Sequence, residues 1–193
     1  MTKAFNNLLI CMVVIFICMA TSSWIQSSGG QVAVSKIVLP TQNGQSLAAT
    51  LFKPISATSD TPAPFVAVVP GFQRSREALS NIAIELSRRG FVVVSIDPYG
   101  QGSSSSSMST RSATYEGYGM FALIDYVFET DNLNYVDKSR IGATGHSAGG
   151  NAAIRGAAYF GKEASEMDSA LSKLHSVYIL SLIHISEPTR PRE

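Results

Sequence analysis

The residues with the most chemistry in them are Gly145-His146-Ser147-Ala148-Gly149-Gly150. A strand-like run, Arg140 to Thr144, precedes them, and a helix-like run, Asn151 to Tyr159, follows. A G-x-S-x-G segment between strand and helix makes a sharp turn with its serine at the apex. Gly145 and Gly149 fit that turn because strand and helix pass closely on either side of it. The pattern predicts that the Ser147 hydroxyl attacks a carbonyl carbon. The backbone N–H of Ala148, at the helix start, would point to where the oxyanion forms. A serine hydroxyl is a weak nucleophile without an adjacent base, so a histidine and an orienting acid are also required.

The elements that must position this serine are legible along the chain. Val32 to Leu39 and the alternating Leu47, Ala49 and Leu51 read as two strands, joined by an Asn43-Gly44 turn into a hairpin. A polar, Pro-rich loop from Pro54 to Pro64 leads to the apolar run Phe65 to Val69, a strand buried on both faces. It ends at Pro70-Gly71-Phe72. Ser75 is placed to cap a helix whose stripe is Leu79, Ile82, Ala83 and Leu86. Arg88 and Arg89 suit its negative end, and Gly90 stops it. Phe91 to Ile96 is a further buried strand, followed by the turn Asp97-Pro98-Tyr99-Gly100-Gln101-Gly102-Ser103. The serine run Ser103 to Ser107 is expected to be a mobile loop. Tyr115 to Glu129 reads as a helix with Met120, Leu123, Ile124, Val127 and Phe128 on its apolar face, and Val177 to Leu180 as one more strand. A hairpin followed by strands alternating with helices is an α/β layout with a parallel sheet. Phe72, Asp97 and Ser147 all follow strand ends, where ligands bind in such sheets.

Composition narrows the setting. The 193 residues are enough for one domain with a sizeable core. A net charge of +1 gives no sign of a nucleic-acid partner. The three histidines stand apart in sequence, so no metal-ligand cluster is expected. Hydrophobic residues reach 45%, and much of the excess lies in the first twenty residues. Leu8 to Ala20 contains no polar residue; Lys3 precedes it, and Thr21-Ser22-Ser23 follow. Residues 1–25 are therefore a signal peptide, with Ala20-Thr21-Ser22 as a small-x-small cleavage site, or an uncleaved membrane anchor with Trp24 at the interface. Both alternatives place the domain outside the cytoplasm. Cys11 and Cys18 both fall in this run, leaving no cysteine in the domain. Residues 26–31 read as a Ser/Gly linker.

Three motifs give the chain a resemblance to the α/β-hydrolase superfamily over about residues 32–181. Pro70-Gly71-Phe72 resembles the loop that supplies a second oxyanion N–H, here that of Phe72. Asp97 to Ser103 resembles the D-x-x-G-x-G-x-S turn after the fourth strand. Gly145 to Gly150 resembles the nucleophile turn. Within the superfamily the chain is similar to dienelactone-hydrolase-like esterases and to the lipase or polyester-hydrolase group. The resemblance implies ester hydrolysis through an acyl-enzyme, on a small-molecule or polymer ester, with no cofactor. A non-catalytic binding protein on the same fold is the alternative. Strained glycine turns around an exposed serine speak against it. Phosphate-cradle readings lack both G-x-G-x-x-G and a P-loop lysine.

The superfamily order is serine, then acid, then histidine. No residue after Ser147 fits the acid or the histidine. His175 precedes the Val177 strand, on the wrong side, and reads as a surface or loop histidine. His146 is expected to pack locally, away from the pocket. Glu166 and Asp168 read as solvated. Asp97 precedes the serine and reads as a turn former. His184 lies in the tail Leu182 to Glu193, which resembles translated sequencing-adapter DNA. The expectation is an incomplete α/β-hydrolase fold lacking its last strands, with residues 182–193 a non-native tail and the 193-residue chain inactive.

Overall fold

The computed structural model describes residues 3–41, 44–106, 116–167 and 172–180. Asn43, Ser107, Tyr115, Asp168, His184 and the rest of the tail lie outside them. Helix α1 (Lys3–Gln26) leads into strands β1 (Val32–Pro40), β2 (Ser46–Pro54) and β3 (Ala63–Val69). Helix α2 (Ser80–Arg88), strand β4 (Val92–Ile96), helix α3 (Met120–Glu129), strand β5 (Val136–His146), helix α4 (Ala148–Glu166) and strand β6 (Ser176–Leu180) follow.

The six strands form one sheet in the order β1-β2-β4-β3-β5-β6. β1 is antiparallel to β2, and β2 to β4. From β4 through β3 and β5 to β6 the strands run parallel. The hairpin and the alternating strands and helices expected from sequence are both present. β4 is buried at all five positions, as expected of a strand covered on both faces. One face carries the larger core, where Phe65, Ile96, Met120, Leu123, Ile124, Ile141 and Phe160 pack together. On the other, α2 covers a smaller cluster of Val32, Phe52, Val68, Ala83 and Val93.

Three local expectations are corrected. Ser75 stands at the head of a short 3-10 turn, Arg76–Leu79, but makes no side-chain cap bond. Its hydroxyl serves the Glu77 carboxylate instead and helps to hold that group below its ordinary pKa. The orphan Arg76 N–H is taken by Asp97 Oδ1 at 2.7 Å. The second correction is the serine run, which is pinned over Ser103–Ser106. Ser104 donates its hydroxyl to the Asp97 carbonyl (2.6 Å) and accepts the Ala48 N–H (2.8 Å). Ser105 exchanges bonds with Ser46, and the Gln45 amide donates to the Ser106 carbonyl. Hydroxyls here replace main-chain partners for β2 where β4 has ended. Third, Phe128 is exposed, with Lys173 Nζ over its ring at 5.9 Å.

Helix α1 has no buried residue. By length and composition it could cross a membrane, a test that signal sequences pass too.

Candidate active site

β5 and α4 meet at Ser147 with a single residue between them. That residue has φ 53° and ψ −114°. Left-handed backbone strains a residue with a side chain, at a cost of about 1–3 kcal/mol. Packing holds the turn in this shape. A methyl group on Gly145 would overlap the Gly149 backbone, and one on Gly149 would overlap the Val69 carbonyl. The two glycines are thus fixed by close approach of β3, β5 and α4. The Ser147 N–H donates to the Leu180 carbonyl at 3.3 Å, tying the turn to β6. The Ser147 carbonyl accepts the Asn151 N–H at 3.0 Å, the first bond of α4. As the first residue of α4, Ala148 has an N–H that no intrahelical carbonyl can reach.

The loop after β3 comes against this turn. A methyl on Gly71 would sit 3.4 Å from Ser147 Cβ and 3.1 Å from His146 Nδ1. Gly71 is buried, while Phe72 beside it is 67% exposed. Gln73 follows with φ 55°, a second strained residue. Phe72, Ala148 and Ser147 therefore share one edge of the sheet, as the sequence predicts.

What holds that loop was missed from sequence. Asp97 is 1% exposed and accepts four hydrogen bonds. Its Oδ1 takes the Arg76 N–H, and its Oδ2 takes Arg76 Nη1 at 2.6 Å and the Ser103 N–H at 2.8 Å. Its carbonyl accepts the Ser104 hydroxyl. Ser95 donates its hydroxyl to the Arg76 carbonyl at 2.9 Å. Gln101 Oε1 accepts the Arg74 N–H at 2.8 Å, two residues past Phe72. The turn after β4 thus clamps the loop after β3. A signal was available: a cation at a helix start opposes the macrodipole unless a carboxylate meets it.

His175 Nδ1 accepts the Ile141 N–H at 3.3 Å, at the start of the β5–β6 pairing, on the opposite edge from Ser147. His146 is half-buried against Gly71.

A mixed sheet in this strand order, with a strained serine between β5 and α4, defines an α/β-hydrolase. The chain belongs to the PETase (PET hydrolase-like) family, whose sequence profile matches residues 18–171. Solved structures share the fold. The α/β-hydrolase GrgF from Penicillium sp. sh18 is 20% identical, with a TM-score of 0.58 over 76% of this chain and 45% of its own. A bacterial heroin esterase is 18% identical, with a TM-score of 0.58 over 77% of this chain and 44% of its own. Esterase Pf2001 from Pyrococcus furiosus is 20% identical, with a TM-score of 0.54 over 67% of this chain and 48% of its own. The chain spans less than half the length of each. No curated protein matches the sequence.

Proposed function

We propose that this chain carries the nucleophile and oxyanion loop of a serine ester hydrolase whose histidine and acid lie in a longer protein. The observation that carries the reading is the backbone of Ser147, strained at the joint of β5 and α4 with Gly71 against its Cβ. In the complete enzyme a histidine takes the Ser147 proton as Oγ attacks the ester carbonyl. The N–H groups of Phe72 and Ala148 hold the oxyanion. Its collapse expels the alcohol and leaves an acyl-serine, which water hydrolyses to the acid. The family name supports polyesters among the candidate substrates, and the esterases sharing the fold support smaller ones. Phe72 is exposed one residue past Gly71, in the loop against the Ser147 turn, and would meet either.

The test compares the parent reading frame, recovered with its natural 3′ end, with the 193-residue chain. The parent should hydrolyse a p-nitrophenyl ester and be labelled at Ser147 by a fluorophosphonate, and Ser147→Ala should abolish both. The 193-residue chain should fall short by a factor on the order of 10⁶, the cost of losing a whole triad in a serine protease. Turnover by the short chain that vanishes with Ser147→Ala would refute the absent triad. Parent activity indifferent to Ser147→Ala would refute the nucleophile.

A further inference from the structure

α1 presents an apolar, fully exposed helix of 24 residues, and its attachment to the domain is specific. The Arg88 guanidinium, at the end of α2, donates through Nη2 to the Ile25 carbonyl at 2.9 Å. That bond satisfies a carbonyl the helix leaves open and puts a cation at its negative end. Gly29 N–H donates to the Trp24 carbonyl (2.9 Å) and Val32 N–H to the Ser27 carbonyl (2.9 Å). α1 therefore passes through one bonded turn straight into β1.

Topology fixes which edge of the sheet receives it. Val32 pairs with Pro54, the end of β2, while Phe52 pairs with Val93 and Ala49 with Ile96. β1 thus begins at the edge where the parallel strands begin. The Ile55 N–H donates to the Gln31 carbonyl on that same edge. Ser147 and Phe72 lie at the other, where the parallel strands end. β4 alone, five residues at about 3.3 Å each, separates the two edges by about 17 Å.

We propose that α1 is retained as a membrane stalk, and that it holds the domain by the edge opposite Ser147, with the Ser147 edge turned away from the bilayer. At about 1.5 Å per residue α1 is about 36 Å long, against a hydrocarbon core of about 30 Å. Lys3 is its one charged residue, at the far end, and Trp24 lies at the domain end, where aromatic side chains favour the headgroup level. Lipid covers what the domain leaves bare. Substrate then arrives from the water side, and ester lipids of the anchoring bilayer cannot reach Ser147. The exclusion of bilayer lipids as substrates rests on Ser147 as nucleophile; the stalk geometry does not.

The full chain is tested in two measurements, neither of which reads hydrolysis. The first is the N-terminal peptide of the protein from bacterial membranes washed with alkaline carbonate. Retention of residues 3–20 in the pellet is expected. A soluble product beginning at residues 21–23 would overturn the stalk. The second uses Cys11→Ser/Cys18→Ser protein in phosphatidylethanolamine–phosphatidylglycerol vesicles bearing a headgroup quencher. A fluorophore on Ser59→Cys, in the loop beside the stalk, should be quenched at least about threefold more than one on Phe72→Cys. A label on Ser75→Cys repeats the reading from the Ser147 edge. Equal quenching at both edges, or the reverse order, would overturn the orientation. An inactive parent protein would leave both results standing and remove only the exclusion of bilayer lipids as substrates.

Discussion

Ser147 holds its position at a cost in backbone strain, and that cost shows in stability whatever the serine does chemically. Glycine adopts φ 53° freely, whereas alanine shares the serine's penalty. Ser147→Gly should therefore stabilise the fold by about 1 kcal/mol, a rise in Tm of about 2–4 °C, whereas Ser147→Ala should leave Tm unchanged. Thermal melts of the detergent-solubilised chain decide it; equal shifts in the two variants would show that the turn is not strained. Ser147, Ala148, Gly145 and Gly149 were legible in the sequence because a turn this tight admits few residue types. Asp97 was legible only as a turn former. Its bonds to Arg76 and Ser103 join residues 21 and 6 positions apart, and no local pattern encodes a partner at the longer distance.

At the scale of elements, Lys173 fastens the segment before β6 to two helices. Its Nζ lies 2.7 Å from Asp125 Oδ1 of α3 and 3.2 Å from Glu163 Oε1 of α4. Burial alone would lower the Lys173 ammonium, but Asp125 and Glu163 overcome it and push its pKa up. Burial outweighs Lys173 at Asp125, whose carboxyl is held above its ordinary value. Lys173→Met leaves both carboxylates unpaired and should cost about 2 kcal/mol at neutral pH, part of it regained by adding Asp125→Asn. Without the lysine, Asp125 rises further. A carboxyl whose folded pKa exceeds its unfolded one contributes stability at low pH that is lost as pH rises. The deficit against wild type should therefore close as pH falls through about 4. Denaturant titrations at pH 7 and below pH 4 check the sign; a gap that widens on acidification would contradict it. The helices and strands themselves were readable from periodicity. Their ends were less so. β5 begins at Val136, ahead of its apolar stretch, and α3 begins only at Met120. Before α3, Gly117, Tyr118 and Gly119 all have positive φ, and Tyr99 N–H bonds the Tyr118 carbonyl. A tertiary contact, not propensity, sets that boundary.

For the whole molecule, the order of strands leaves β6 at one margin, with no partner among the described residues on its outer side. Tyr178 there is 68% exposed. Beside it an apolar cavity of about 290 Å³ is lined by Val66, Ile82, Leu86, Thr144, Tyr178 and Leu180. An open apolar edge strand invites pairing with other chains, and a lysine blunts it. Tyr178→Lys should lower the higher oligomers of the solubilised chain at least twofold by light scattering, at little cost in Tm. Unchanged association would place the contact elsewhere. Hydrophobic pattern and strand count announced this layout, whereas the bearing of α1 on the sheet needed the register of β1 and β2. The bond from Ser147 N–H to Leu180 also has a consequence in time. The Ser147 turn closes only against a strand made some thirty residues later, about two to six seconds of synthesis at about 5–20 residues per second. By then α1 has long left the ribosome.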